Sequence, residues 1–373
     1  METYRLKSRV LCGDTEYTIQ TANDADLSAV TSTVIVNGVP VETVRSQHPS
    51  QVDSEEVLNL VKLRHGEAKR ELEQLLDAYE KALAGGDPER LVALGVAFYY
   101  KGLHHDAAQL LTEAIEADAD QHKAFNFLGL TLSALGRPAD ASRAAMEAVR
   151  LRPGFADYRN NLGLTHMATG ACSRAVREFE EAINLNMYYA DAYLNLGLAL
   201  LLNAIRKEDS DLFEGVISKT REHFERSRLI QRDYETSTFH KGMEALGNGD
   251  LETAYDLICR VRDDHVENHR RQYSDFYLKS VLSFSGTSSE TLNDRINFLR
   301  SEIAKNPHYV DLIAELGHCH LQKARLSWSQ GLEQYRIALD KNPSLARSRR
   351  VLEEAERVYS AMSAALGRIG QEK

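Results

Sequence analysis

Four Leu-Gly pairs, Leu94-Gly95, Leu128-Gly129, Leu162-Gly163 and Leu196-Gly197, recur at a constant spacing of 34 residues. A period of that length describes a chain that stacks one supersecondary unit repeatedly and does not fold around a single centre. The phase extends beyond the pairs. Leu91, Phe125 and Tyr193 precede the glycine by four, Ala107, Ala141 and Ala175 follow it by twelve, and Ala114, Ala148 and Ala182 by nineteen. Turn signals fall between glycine and first alanine, as at Gly136-Arg137-Pro138 and Gly170, and Pro153 closes the second unit.

Each unit therefore reads as two amphipathic helices joined by a short turn, with Gly and Ala where backbones approach and larger residues filling the gaps. This pattern resembles the tetratricopeptide repeat (TPR) family over about residues 88–366, strongly in the first four units and weakly in the sixth. The third unit departs from the family by placing Arg159, beside Tyr158, where an aromatic is usual. The resemblance implies a mainly α chain, a right-handed α-α superhelix of about seven helix pairs.

Downstream the phase returns with insertions. Gly242 lies one period plus 11 residues after Gly197, and the surplus is expected between Asn203 and Lys219; Gly317 lies two periods plus 7 after Gly242, with Pro307 ten residues before it. The degenerate sixth unit between them is expected to carry its loop at Ser283 to Ser289. The organisation expected is a β-meander over 1–52, a linking helix over 53–86, four repeats over 87–233, about three divergent repeats over 234–343, and a terminal capping helix with tail over 344–373.

The first residues carry a different period. Tyr4, Leu6, Ser8 and Val10, then Tyr17, Ile19 and Thr21, then Ala29 to Val36 alternate as strands do. Asn37-Gly38 between Val36 and Val39 is a two-residue hairpin signal, because both central positions of a type I′ turn need positive φ. Pro40 assigns the fourth strand to an edge. After Pro49, Asp53 and Glu56 open a helix whose stripe includes Val57, Leu60, Val61, Leu72, Leu75, Leu76 and Tyr79, and which runs to Gly85-Gly86 with Gly66 as a place to bend. That stripe has three possible partners: the sheet, the first repeat, or a second copy of the chain in a homodimer through this long helix.

Chemistry is sparse. Of 373 residues, 45 are Lys or Arg and 55 are Asp or Glu, a net charge of -10 that disfavours phosphate backbones, so no nucleic-acid partner is expected. The longest apolar stretch, Leu194 to Ile205, is interrupted by Asn195 and Asn203, and with no secretory leader in the opening residues the expectation is a cytoplasmic protein without a membrane span. Cys12, Cys172, Cys259 and Cys319 are scattered, and no phosphate-binding loop or nucleophile elbow occurs. His265 and His269, four residues apart among acids, could share a helix face toward a metal, but a solvated surface is the simpler reading. No cofactor, metal or catalytic residue is assigned, and the chain reads as a non-enzymatic scaffold or adaptor that helps assemble a larger complex.

The TPR resemblance also implies a groove, lined by the first helix of each unit, that binds an extended peptide or helix of a partner protein. The positions it implies here are Tyr99, Tyr100, Lys123, Asn126, Leu130, Asn160, Asn161, Leu164, Met167, Asn195, Leu198 and Leu202. A row of Asn side chains, each both donor and acceptor, can hold a peptide backbone whatever its sequence; the same row could instead bridge neighbouring helices. A second reading comes from Arg5-x-x-x-Arg9 and Asp26-x-Ser28, which resemble the signature of PilZ domains and imply a regulator that binds cyclic di-GMP on the N-terminal sheet. Thr31 stands where that family has Gly.

Overall fold

The computed structural model describes residues 3–49, 53–282, 289–305 and 310–371. The chain begins with β1 (Arg5–Cys12), β2 (Thr15–Asp24), β3 (Ala29–Val36) and β4 (Val39–Gln47), paired antiparallel in the order β1-β2-β3-β4. Asn37 and Gly38 have φ of 51° and 83°, the geometry a type I′ turn requires. β4 is an edge, and Pro40 sits where the β3–β4 register shifts, so its missing N–H costs the ladder little.

Helix α1 (Ser54–Gly85) is capped by Asp53, whose carboxylate accepts from the Glu56 N–H at 2.8 Å, and it ends at Gly86 with φ 63°. Its stripe is used within the chain. Val57, Val61, Leu72, Leu75 and Leu76 are buried, and the helix packs on β1, β2 and β3 along one part of its length and on the first repeat along another. His65 extends a polar bridge from helix to sheet, joining Ser8 Oγ at 2.8 Å and Thr21 Oγ1 at 3.0 Å, while Thr21 meets Ser32 at 2.9 Å. These groups satisfy one another where water is excluded.

The repeat units follow as helix pairs: α2 (Pro88–Lys101) with α3 (His104–Ala117), α4 (His122–Ala134) with α5 (Pro138–Leu151), α6 (Ala156–Ala168) with α7 (Cys172–Leu185), α8 (Ala190–Arg206) with α9 (Val216–Ile230), and α10 (Ser237–Gly247) with α11 (Leu251–Leu282). Gly102, Gly136, Gly170 and Gly249, each seven residues after a unit's first glycine, have φ of 71–84° and end the first helix of their pair. In the fourth unit that position is Ala204, which has no preference for positive φ. Helix α8 therefore runs on to Arg206 and stops at Lys207, φ 56°, before a short 3-10 turn at Ser210–Leu212.

Second helices end at Asp118, Arg152, Asn186 and Gln231, each with non-helical backbone. The matching position of the fifth unit is His265, followed by Val-Glu-Asn with no Gly or Pro to stop the helix, so α11 continues for 32 residues. Helices α12 (Ser289–Lys305), α13 (Val310–Lys341) and α14 (Ala346–Gln371) complete the described chain. Gly317, placed by its phase at a helix crossing, instead lies exposed on α13, where a methyl added to its Cα would meet nothing within 4 Å. Seven residues on stands Ala324, so α13 does not break into a pair. Most of the loop expected at Ser283 to Ser289 lies outside the described residues, as does Pro307.

The sheet, α1 and the first repeat share one core, in which Tyr17, Ile19, Leu72, Leu75, Leu94, Phe98 and Leu110 are buried together. At its edge Lys101 lies between Glu42 of β4, 2.8 Å away, and Glu71 of α1. Burial draws the Lys101 ammonium down and the two carboxylates more than restore it, so it stays charged. Beside it, a Cβ on Gly102 would lie 2.4 Å from the Val41 carbonyl oxygen, which shows how closely β4 is seated on the end of α2.

Candidate functional site

The concave face is defined by how the helices of each pair cross. A Cβ on Gly95 would come within 2.8 Å of Leu111, on Gly163 within 2.5 Å of Phe179, on Gly197 within 2.4 Å of Phe224, and on Gly242 within 2.8 Å of Ile258. The contacted residue is sixteen positions after the glycine, or twenty-seven in the fourth unit, which carries the insertion. The same close approach recurs in phase with the sequence period. The repeat region is a solenoid of helix pairs, the fold that the tetratricopeptide resemblance implied.

In this array α2, α4, α6 and α8 are the inward helices. The structure places the expected groove residues on them in three different states. Lys123, Leu130, Asn161 and Leu164 are half-buried. Asn126, Asn160, Asn195, Met167, Leu198 and Leu202 are buried, Leu198 completely. Tyr99 and Tyr100 are covered by another part of the same chain, as described below. The asparagines link neighbouring repeats: Asn161 Nδ2 donates to Asn126 Oδ1 and Asn195 Nδ2 to Asn160 Oδ1, both at 2.9 Å. Of the two roles open to that row, helix bridging is the one its geometry displays. Arg159 is held by Glu178 at 2.9 Å, and the neighbouring Tyr158 is buried, donating to or accepting from His122 Nδ1 at 2.7 Å.

The covering element is α11. Its first half pairs with α10, and beyond His265 it packs on α8, α2 and α1, which are inward helices of the fourth and first units and the N-terminal helix. It thus crosses the concave face from one side of the array to the other. The His265 ring lies 4.6 Å from that of Tyr234, whose hydroxyl donates to Asp191 at the start of α8. Two turns further on, the Tyr273 ring stacks on Tyr100 at 5.2 Å, with the Arg295 guanidinium 4.5 Å from the Tyr273 centroid and bonded to Glu315 at 3.0 Å. Burial pushes the Tyr273 hydroxyl up to about 12 and raises Tyr99 as well. Sequence reasoning missed Tyr273 and read His265 as solvated, whereas it is half-buried against Tyr234; the missing helix stop after His265 was the signal that could have placed both.

His104, at the start of α3, lies against Tyr99 with ring centroids 5.6 Å apart. Burial, then the charges of Arg270 and His105, pull its imidazole from 6.5 down to about 4. Between those two values the unfolded chain holds a proton that the native chain does not, so stability falls as pH falls from 6.5 toward 4. The loss through this group reaches about 3 kcal/mol at the acid end. Paired denaturant titrations of the wild type and His104→Gln at pH 7 and pH 4.5 should show the smaller acid loss in the variant; equal losses would remove His104 as the cause.

The His265 and His269 rings lie 4.1 Å apart, tilted by 47° to each other, and among the described residues no group of three or more His, Cys, Asp or Glu is placed to hold a metal ion. Arg5 and Arg9 are both exposed on β1, four residues and thus about 13 Å apart. Arg9 faces Glu16 at 3.6 Å, and Asp26 and Ser28 belong to the β2–β3 turn, so the structure does not gather these residues into one site. A depression of about 540 Å³ between α3 and α5 is lined by Glu113, Arg137, Asp140 and Arg143, with both arginines paired to Asp140.

No family model matches the chain. Among solved structures it is similar to MamA, with 23% identity over 46% of this chain and 96% of that one at a TM-score of 0.35. It is also similar to YrrB, described as a TPR protein with an unusual peptide-binding site, with 16% identity over 52% and 97% at 0.36. For PilF of Pseudomonas aeruginosa the identity is 19% over 61% and 90%, again at 0.36. No helix among the described residues is long and apolar enough to cross a membrane.

Proposed function

We propose that this chain is a non-enzymatic protein-interaction scaffold whose concave face takes a helical or extended segment of a partner protein as part of a larger assembly. The observation that carries this reading is the crossing of α11: the face already holds a helix, through ring contacts of Tyr273 on Tyr100 and of His265 on Tyr234. A surface that seats one amphipathic helix has the shape and apolar content to seat a second segment beside it. The half-buried residues of α4 and α6, Lys123, Leu130, Asn161 and Leu164, offer that place: two apolar contacts flanked by a cation and an amide. The likeness to YrrB, whose peptide site is named as such, agrees with this reading.

The test compares wild type with a Lys123→Glu, Leu164→Glu double variant in affinity purification from native lysate. Proteins retained by wild type are expected to fall at least tenfold with the variant while the helical circular dichroism signal is unchanged. Retention of the same proteins at the same level would exclude this part of the groove as their binding surface.

A further inference from the structure

The outward face of α13 carries large apolar residues that the described chain leaves partly exposed. Leu321, Trp328 and Tyr335 are 46%, 39% and 38% exposed and recur every seven residues. Between them, at the complementary heptad positions, stand Gly317, Ala324 and Gly331, also exposed, with open space around both glycines. The seven-residue period at alternating steps of four and three is the seam of a helix that packs along another helix. Large and small residues alternate strictly along this seam.

That alternation selects the occupant. A parallel copy of the helix would set large against large and leave voids where small meets small. An antiparallel copy, related by a two-fold axis beside Leu326, sets Leu321 over Gly331, Trp328 over Ala324 and Tyr335 over Gly317, so that every large side chain enters a gap. The flank away from α14 bears His320, Ser327 and Gln334, with no Asp, Glu, Lys or Arg to oppose its own image in a chain of net charge -10. Helix α14 widens the same face: Trp328 Nε1 donates to the Ala355 carbonyl at 3.0 Å, and Val351 and Val358, 37% and 44% exposed, lie one turn to either side of Ala355. Roughly 30 Å by 20 Å of surface, about 600 Å² from each copy and about 1,200 Å² together, meets the size of the smaller stable interfaces.

We infer that the α13–α14 hairpin is a homodimerisation surface, in which α13 packs antiparallel on α13 of a second copy of this chain. The interface is separate from the concave groove. A dimer would therefore present two grooves, each with its own α11.

The test measures the mass of the full chain by light scattering and sedimentation equilibrium from 1 to 100 μM. Wild type is expected to sediment at twice the chain mass at the upper end, and Gly331→Glu, which buries a charge twice in a two-fold interface, to weaken self-association at least 100-fold. Gly331 lies on an exposed helix face, and replacing it raises helix propensity, so a monomeric variant cannot be ascribed to unfolding. Trp328 is the one tryptophan of the chain, and its emission should shift to the blue with concentration in wild type only. A wild type that stays monomeric to 100 μM, or a Gly331→Glu variant that dimerises as tightly as wild type, overturns the inference.

Discussion

Replacing Lys101 with Ala is expected to lower the stability of the chain by about 3 kcal/mol, one of the two largest single-substitution effects expected here. The Lys101 side chain is 9% exposed, and its ammonium sits between Glu42 and Glu71, which come from the sheet and from α1, while Lys101 itself ends the first repeat helix. Removing it leaves two carboxylates facing each other in a partly dry junction, Glu42 at 17% exposure and Glu71 at 39%. The penalty is therefore the desolvation of unpaired charge more than the loss of an attraction, and Glu71, the wetter of the two, tempers it. The triple variant Lys101→Met, Glu42→Gln, Glu71→Gln distinguishes these terms. It should regain most of the lost stability, read as a denaturation midpoint close to wild type. A triple variant as unstable as Lys101→Ala would mean that the junction depends on the ion pairs themselves.

Gly197→Ala is the second. Alanine ordinarily strengthens a helix by up to about 1 kcal/mol relative to glycine. Here the new methyl would lie 2.4 Å from the ring of Phe224, which is fully buried between α8 and α9, so the ring must turn or the two helices must part. Overpacking of this kind costs about 1–3 kcal/mol, enough to reverse the propensity gain. Phe224→Leu alone should cost about 1 kcal/mol for the volume it removes. If the clash is the cause, the double variant should be more stable than Gly197→Ala alone, a non-additivity that thermal denaturation of the four proteins measures directly. Simple additivity would mean that the helices separate without resistance from the ring.

The hairpin turn at Asn37-Gly38 and the tetratricopeptide spacing were legible because both are local: positive φ at a turn and a missing side chain at a crossing restrict residue type at a known position. Gly317 shows the limit of that logic. It satisfies the spacing, yet the residue that would have ended its helix is Ala324, so the glycine faces solvent on a helix that never turns. The asparagine row was legible as a row, but whether its amides meet each other or a ligand depends on the distance between neighbouring repeats, here short enough for direct 2.9 Å bonds. The position of α11 was not legible. Its length follows from the missing stop after His265, whereas the stacking of Tyr273 on Tyr100 joins residues more than 170 positions apart and depends on the curvature of everything between them.

An unclasped solenoid behaves as a spring: each unit touches only its neighbours, so the coil can stretch, bend and fray from its ends. Helix α11 acts here as a strut. It is fastened at the fifth unit through α10 and at the first through Tyr100, with a further hold on α8 and on the Tyr234 ring, so a change in pitch anywhere along the intervening units would have to break one of those attachments. The middle of the coil is thereby deprived of independent motion, and melting of the first five units should occur as one concerted event, not as a wave travelling inward from an end.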